Sequence, residues 1–282
     1  MSKRKIVVAT DSAADIPIDL QNELQIPVIP LWLIWDDGSL GDGVYIDSDT
    51  FYRRLKESST NPTTSQPSTG EFEQFYRDLA DSADTIISIN VSSRISGTVD
   101  SALAARNRLP DLDIRIVDTL SVSMGQGFAV LAAARAAEAG ASPEEVIAAA
   151  ENVLQRTHLF FVVDTLEFLH RGGRIGGARW LLGMALQIKP ILEISDGEVI
   201  SLSQKRTRPR AVAEMLQWIE KRLDGEQMAG AAVIEVNCKE VADGVAEQIQ
   251  SRFGPNTLHR TAIGPVVGAH AGPGTIGVAF HT

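Results

Sequence analysis

The sequence predicts an α/β protein in two parts. Residues 1–157 are expected to form a doubly wound parallel sheet with a small hairpin insert, and residues 158–282 a mixed or antiparallel α/β domain. Three observations carry this. Short β-branched runs alternate with helical patterns through the first half, which implies strand–crossover units and helices on both faces of a parallel sheet. After about residue 157 a hairpin signal joins the pattern, and a purely parallel sheet contains none. No linker rich in Pro, Gly or Ser, no internal repeat and no low-complexity tract lies between the parts, so they are expected to pack directly on each other.

The elements follow in order. Ile6–Ala9 is a short continuous apolar run, as a strand covered on both faces requires. Val28–Leu33 reads as a second strand, and Asp36-Asp37-Gly38 and Gly41-Asp42-Gly43 as the turns of the insert. Ser48 is placed as the cap of a helix from about Thr50 to Lys56. Ser68-Thr69-Gly70-Glu71 is a capping box opening a helix with Phe72, Phe75, Tyr76 and Leu79 on one face. Thr85–Asn90 and Ile114–Asp118 read as strands, with a helix from about Thr98 to Arg108 between them. Ser142-Pro143-Glu144-Glu145 combines a cap, a first-turn proline and a third-position glutamate, a strong helix start. In the second part Leu159–Val163 is a strand, and Lys189–Ile194, the Asp196-Gly197 turn and Glu198–Ser203 form a hairpin. Pro209–Arg222 and Glu240–Phe253 are helical; Ala231–Val236, Thr257–Ala262 and Thr275–Phe280 are strands. In such sheets ligands bind beyond the carboxyl ends of the strands. Thr10-Asp11-Ser12, Ser92–Gly97 and Asp118–Ser123 should therefore gather at one edge.

Composition narrows the function. Among 282 residues 44% are apolar and 22% charged, as in an ordinary globular protein, which excludes disorder and coiled coil for the whole chain. The net charge of −10 argues against wrapping nucleic acid or an anionic membrane, whose phosphates would repel it. Cys238 is the only cysteine, so no intrachain disulfide and no zinc site of two or more thiolates can form, which fits a cytoplasmic protein. The basic start Met1–Lys5 precedes an apolar stretch that Asp11 ends too early for a signal peptide. No apolar run approaches the roughly 18 residues of a membrane helix.

Several motifs carry chemistry only in the right context. Gly272-Pro273-Gly274-Thr275-Ile276-Gly277 matches G-x-G-x-x-G, but no helix or acid can follow in the five remaining residues, so it is read as a tight turn feeding the last strand. Ser96-Gly97 lies where a hydrolase nucleophile would, but Arg94 and Thr98 stand where the elbow needs glycine. A hydroxyl there more often caps the helix or binds an anion. Residues 61–68, NPTTSQPS, read as a loop whose hydroxyls could cradle a carboxylate or phosphate. None of the five histidines has metal-ligand spacing; His270, among Gly268, Gly272 and Gly274, is read as a turn residue that could contact a ligand. Residues 171–210 hold eight bases against three acids, a basic island that could dock an acidic partner if its clusters meet.

Taken together these segments resemble the DegV family. The resemblance rests on Thr10-Asp11-Ser12-Ala13-Ala14-Asp15-Ile16-Pro17, Thr63-Thr64-Ser65-Gln66-Pro67-Ser68, Ser92-Ser93-Arg94-Ile95-Ser96-Gly97-Thr98 with Ser101-Ala102, and Val117-Asp118-Thr119. Leu169-His170-Arg171-Gly172-Gly173-Arg174-Ile175, Lys189-Pro190-Ile191-Leu192 and His270-Ala271-Gly272-Pro273-Gly274 complete it. Arg94 and Ile95 depart slightly from the family pattern without touching the site. The resemblance implies two α/β domains holding one long-chain fatty acid, such as palmitate or oleate, with no other cofactor, metal or catalytic residue. It implies a binding protein, not an enzyme: a separate ATP-dependent kinase subunit would phosphorylate the bound carboxylate for phospholipid synthesis. By the same resemblance the Thr64 and Ser96 hydroxyls would bind the carboxylate, with Ser93 in reserve, and His270 would lie beside it. Arg206, and less so Arg174, would meet the kinase.

Two readings of other classes stand beside this one. Ser96 could be the nucleophile of an ester or thioester hydrolase with His270 as base, given an orienting acid such as Asp118. His270 could instead carry phosphate in a relay, an analogy of fold only.

Overall fold

The computed structural model describes residues 4–43, 46–58, 60–183 and 188–282; the start at Met1–Lys3 lies outside them. The first strand, β1 (Arg4–Asp11), is buried from Ile6 onward. Asp11 then caps a short turn, its carboxylate accepting from the Ala13 amide at 3.1 Å. There follow α1 (Ile18–Glu23), β2 (Val28–Ile29), β3 (Trp32–Trp35), β4 (Gly38–Gly41) and α2 (Ser48–Glu57). Next come β5 (Thr63–Ser65), α3 (Thr69–Ala80), β6 (Ala83–Asn90), α4 (Thr98–Asn107), β7 (Asp113–Asp118), α5 (Met124–Glu138) and α6 (Pro143–Leu154). Strands β2-β1-β6-β7 form an all-parallel sheet in that order. Its α3–α4 pair covers one face and α5–α6 the other, the doubly wound arrangement that the alternation of strand and helix predicts.

The expected single strand Val28–Leu33 is two strands in different sheets. Pro30 separates them, and proline has no amide to continue a ladder. The hairpin insert is present as β3–β4, but β5 extends it to three antiparallel strands. Thr63–Ser65, expected as loop, is thereby pinned to β3, with Thr64 opposite Leu33. The cap of α2 is Asp47, which accepts from the Thr50 amide at 2.7 Å; Ser48 instead donates to the Ile263 carbonyl. The capping boxes at Ser68 and Ser142 form as expected.

The second half contains β8 (Thr157–Val162), α7 (Glu167–Arg171), a 3₁₀ segment (Gly176–Gly183), β9 (Lys189–Ser195) and β10 (Glu198–Lys205). It continues with α8 (Arg208–Leu223), β11 (Gly230–Glu235), α9 (Lys239–Phe253), β12 (Thr257–Ala262), α10 (Pro265–Ala271) and β13 (Ile276–His281). The sheet order is β10-β9-β8-β13-β11-β12, antiparallel except for the last pair, a mixed sheet as expected. Asp196 and Gly197, both at positive φ, turn the β9–β10 hairpin.

Four helices are absent from the sequence-based expectations: the short α1 and α7, and the two that shape the site, α5 and α10. Helix α5, MGQGFAVLAAARAAE, is buried almost all round from Met124 to Ala134, so it has no polar face to set a period. It lies between the two sheets, against β1 and β6 on one side and β8 and β13 on the other. The largest apolar cluster consequently runs from Ile6 and Val8 through α5 to Ile234 and Ala279. Helix α10 is the second of these two. It places His270 in a last helical turn, correcting the reading of a glycine-rich turn; Pro265 at its first position starts it. The turn lies just beyond, where a Cβ on Gly272 would strike the Phe168 ring and one on Gly274 the Asp164–Arg208 pair. These are the close approaches expected of that glycine motif.

Candidate functional site

The three polar stretches meet at the carboxyl edge of the parallel sheet. The Asp11 carboxylate accepts from Asn90 and from the Val91 amide at 2.8 Å. The Ser92 amide donates to the Ser121 carbonyl and the Ser123 amide to the Ala13 carbonyl. These bonds tie the loops after β1, β6 and β7 into one floor. The second half reaches the same floor through Ser92, whose hydroxyl donates to the Gly197 carbonyl at 2.9 Å.

Between this floor and the C-terminal sheet is a chamber of about 880 Å³, its open mouth included. Its walls are predominantly apolar. Val91, Ile95 and Val122 come from the floor; Phe161, Ile194 and Ile234 come from β8, β9 and β11. Helix α10 closes one side with Val266, Val267, His270 and Ala271.

Thr64 and Ser96 line this chamber with His270, although they are 32 and more than 170 residues apart in pairs along the chain. Thr64 Oγ1 and His270 Nε2 are 2.7 Å apart. Ser96 Oγ pairs with Thr98 Oγ1 at 2.8 Å. Burial, and secondarily the Arg174 charge, push the His270 pKa down to about 4, so its imidazole is neutral near pH 7. A neutral ring can donate from Nε2 to Thr64 and leave the threonine proton free to point into the chamber. Thr98 can free the Ser96 proton in the same way. The ring's Nδ1 is buried without a hydrogen-bond partner and packs on Gly172, where any Cβ would overlap it.

Ser93 is exposed and lies outside the chamber, in a polar vestibule shared by Ser96, Arg94 and Arg174. Its amide donates to Asp118. Arg174 turns inward rather than to an outer face: it lines both chamber and vestibule, donating to the Ile95 carbonyl at 2.9 Å and to the Gly172 carbonyl at 2.6 Å. Burial lowers its pKa, yet a guanidinium stays protonated. Arg206 is exposed. Much of the basic island is neutralised internally: Lys189 and Arg208 share Asp164, Arg171 pairs with Glu167, and Lys205 with Glu214.

The hydrolase constellation is not assembled. Ser96 pairs with Thr98, His270 with Thr64, and Asp118 Oδ1 accepts from the Ser93 and Leu120 amides. No group of His, Cys, Asp and Glu suited to a metal ion occurs among the described residues. None of the described helices is long and apolar enough to cross a membrane.

An apolar chamber between the two sheets, with a threonine hydroxyl paired to a neutral imidazole on its wall, has the form of a small-molecule binding site. A family model described as "Uncharacterised protein, DegV family" matches residues 5–282, and the chain belongs to the DegV family. It is 36% identical to a DegV domain-containing protein of Streptomyces coelicolor over 98% of both chains. Its fold matches a DegV family protein of Thermus thermophilus described by its fatty acid binding, with TM-score 0.93, 32% identity and 99% of each chain covered. Bacillus subtilis DegV, described as a fatty acid binding protein, matches with TM-score 0.90 and 33% identity over 99% of this chain and all of that one.

Proposed function

We propose that the protein binds one long-chain fatty acid in the chamber, with the carboxylate at Thr64 and Ser96 and His270 beside it. The observation that carries this is the Thr64–His270 pair set in a predominantly apolar cavity. A buried carboxylate needs donors or it takes up a proton. Two hydroxyls oriented by Thr98 and His270 supply them without a fixed cation in direct contact. The chain supplies the affinity: at roughly 0.8 kcal/mol per buried CH₂, a C16 tail contributes on the order of 10 kcal/mol before ordering costs. The fatty-acid-binding relatives from Thermus thermophilus and Bacillus subtilis support the reading.

The protein is read as a carrier in the cytoplasm, not an enzyme. It presents the carboxylate through the vestibule to a separate ATP-dependent kinase, which forms the acyl phosphate. The exposed Arg206 would contact that kinase, while Arg174 would steer the carboxylate at the mouth. The halves 1–157 and 158–282 are proposed as the two units that the ligand bridges.

Native mass spectrometry of the purified protein, followed by extraction of the bound material, tests the reading. A stoichiometric fatty acid is expected. Protein that is bare and takes up neither palmitate nor oleate overturns it.

A further inference from the structure

Two buried carboxyl groups outside the ligand chamber converge on the start of α10. Asp15 ends the turn after β1 at φ 48°, a left-handed conformation that aspartate tolerates. Its Oδ1 accepts from the Gly264 amide at 2.7 Å, and its carbonyl accepts from the Thr261 hydroxyl at 3.0 Å. Asp42 follows β4; its Oδ2 accepts from Ser12, whose oxygen in turn accepts from the Leu31 amide. Gly264 lies between the two. A Cβ built there would be 3.1 Å from Asp15 Oδ1 and 3.4 Å from Asp42 Oδ1.

Neither carboxyl is fully satisfied. Asp15 Oδ2 and Asp42 Oδ1 are buried and unpartnered. The Ser123 hydroxyl is close enough to favour the Asp15 carboxylate but makes no well-formed hydrogen bond, and the Val266 amide lies near Asp42. The charges acting on the pair are of one sign: Asp15 and Asp42 themselves, and Asp11 at the end of β1. From α2, Tyr52 donates to the Ile263 carbonyl, with Glu235 and Cys238 beyond it. The opposite end of α10 carries His270, and the helix between supplies Val266, Val267 and Ala271 to the chamber wall.

We propose that Asp15 and Asp42 are positioning residues which clamp the start of α10 while protonated and loosen it when both ionise, so that the grip on the ligand follows pH. The proposal rests on the fatty-acid reading of the chamber. Burial, then the neighbouring carboxylates, push Asp15 up to about 7; burial, then Asp11, does the same to Asp42. With α10 displaced and the pair hydrated, both return toward the ordinary carboxylate value near 4. The closed arrangement therefore binds more protons than the open one between about pH 4 and 7. Its advantage falls across that window and levels off above it, by up to about tenfold per pH unit for each group.

The test measures the Kd of a fluorescent C18 polyene fatty acid from pH 5.5 to 8.5 for the wild type, Asp42→Asn and Asp15→Asn. Comparing variants with one ligand removes the ligand's own titration. The wild type is expected to lose at least about tenfold in affinity between pH 5.5 and 7.5 and then level off. Each asparagine variant removes one of the two titrations and should roughly halve the logarithmic slope of that profile, which a merely structural contribution would not do. Amide exchange at Gly264–Gly268, corrected for intrinsic rates, should show wild-type protection falling over the same window. Equal slopes in all three proteins overturn the clamp. A wild type that binds no fatty acid at any pH overturns the underlying reading instead; the exchange profile then decides whether the pair loosens α10. Should one variant fail to fold, the other carries the comparison.

Discussion

In the N-terminal half, everything that reaches the chamber comes from loops beyond strand ends and from the short strand β5; in the C-terminal half, it comes mainly from a sheet face and from α10. Loops carry backbone groups that no ladder satisfies, so they must be tied down by side chains. Asp11 does this here, accepting from the Ala13 and Val91 amides, and Asn90 and Gln126 in turn hydrogen-bond its carboxylate. The loop after β6 offers the Ser96 hydroxyl and the strand β5 the Thr64 hydroxyl. A sheet face satisfies its own backbone and can present only side chains, here Phe161, Ile194 and Ile234. One half thus supplies the hydroxyls and the other most of the sheet-borne apolar surface, with His270, joined by Arg174, as the exception that crosses from the second half to the first.

The most damaging way to separate the halves is through α5. Phe128 is nearly buried in the cluster that joins both sheets and meets His281 edge-on, with ring centroids 4.9 Å apart. Phe128→Ala should lower the stability by about 3–5 kcal/mol in urea unfolding. A loss below about 1 kcal/mol would mean that the halves are not held together there.

The exception can be tested by titration. His270 has its pKa depressed from 6.5 to about 4, so the unfolded chain binds more protons between those values. Stability from this residue is complete above about pH 6.5 and is lost as the pH falls toward 4, by up to about 1.4 kcal/mol per unit. The stability of wild type minus His270→Asn, followed by thermal unfolding against pH, should rise across that window. A flat difference would place the imidazole in water. The sign is opposite to that of Asp15 and Asp42, which keeps the two effects distinguishable.

The hydroxyls sharpen the comparison further. Thr64→Ala should weaken fatty acid binding by about 10–100-fold, the worth of a hydrogen bond to a charged group of roughly 1.5–3 kcal/mol. Its stability should stay within about 1 kcal/mol of wild type, since the residue is only part-buried. Ser96→Ala should lose less, about tenfold, because Arg174 at the shared mouth remains to attract the carboxylate. Isothermal titration with palmitate measures both. Unchanged affinity in Thr64→Ala would remove the carboxylate from that end of the chamber.

The amino-acid sequence by itself determined most of the order of strands and helices, the two sheet types and the capping boxes at Ser68 and Ser142, because their signals lie in neighbours a few residues apart. It also pointed to the segments around Thr64, Ser96 and His270, through hydroxyl density, a strand-to-helix junction and flanking glycines. Helix α5 was illegible because burial on every side erases the period that marks a surface helix. Helix α10 is short and glycine-flanked, and the amide of its cap residue Gly264 is held by Asp15, 249 residues away. Only the tertiary structure decided that Thr64 meets His270, that Arg174 turns inward, and that two buried carboxyls converge on Gly264. Each is a contact between distant parts of the chain, and residue type alone carries no record of which distant group will be brought within 3 Å by packing.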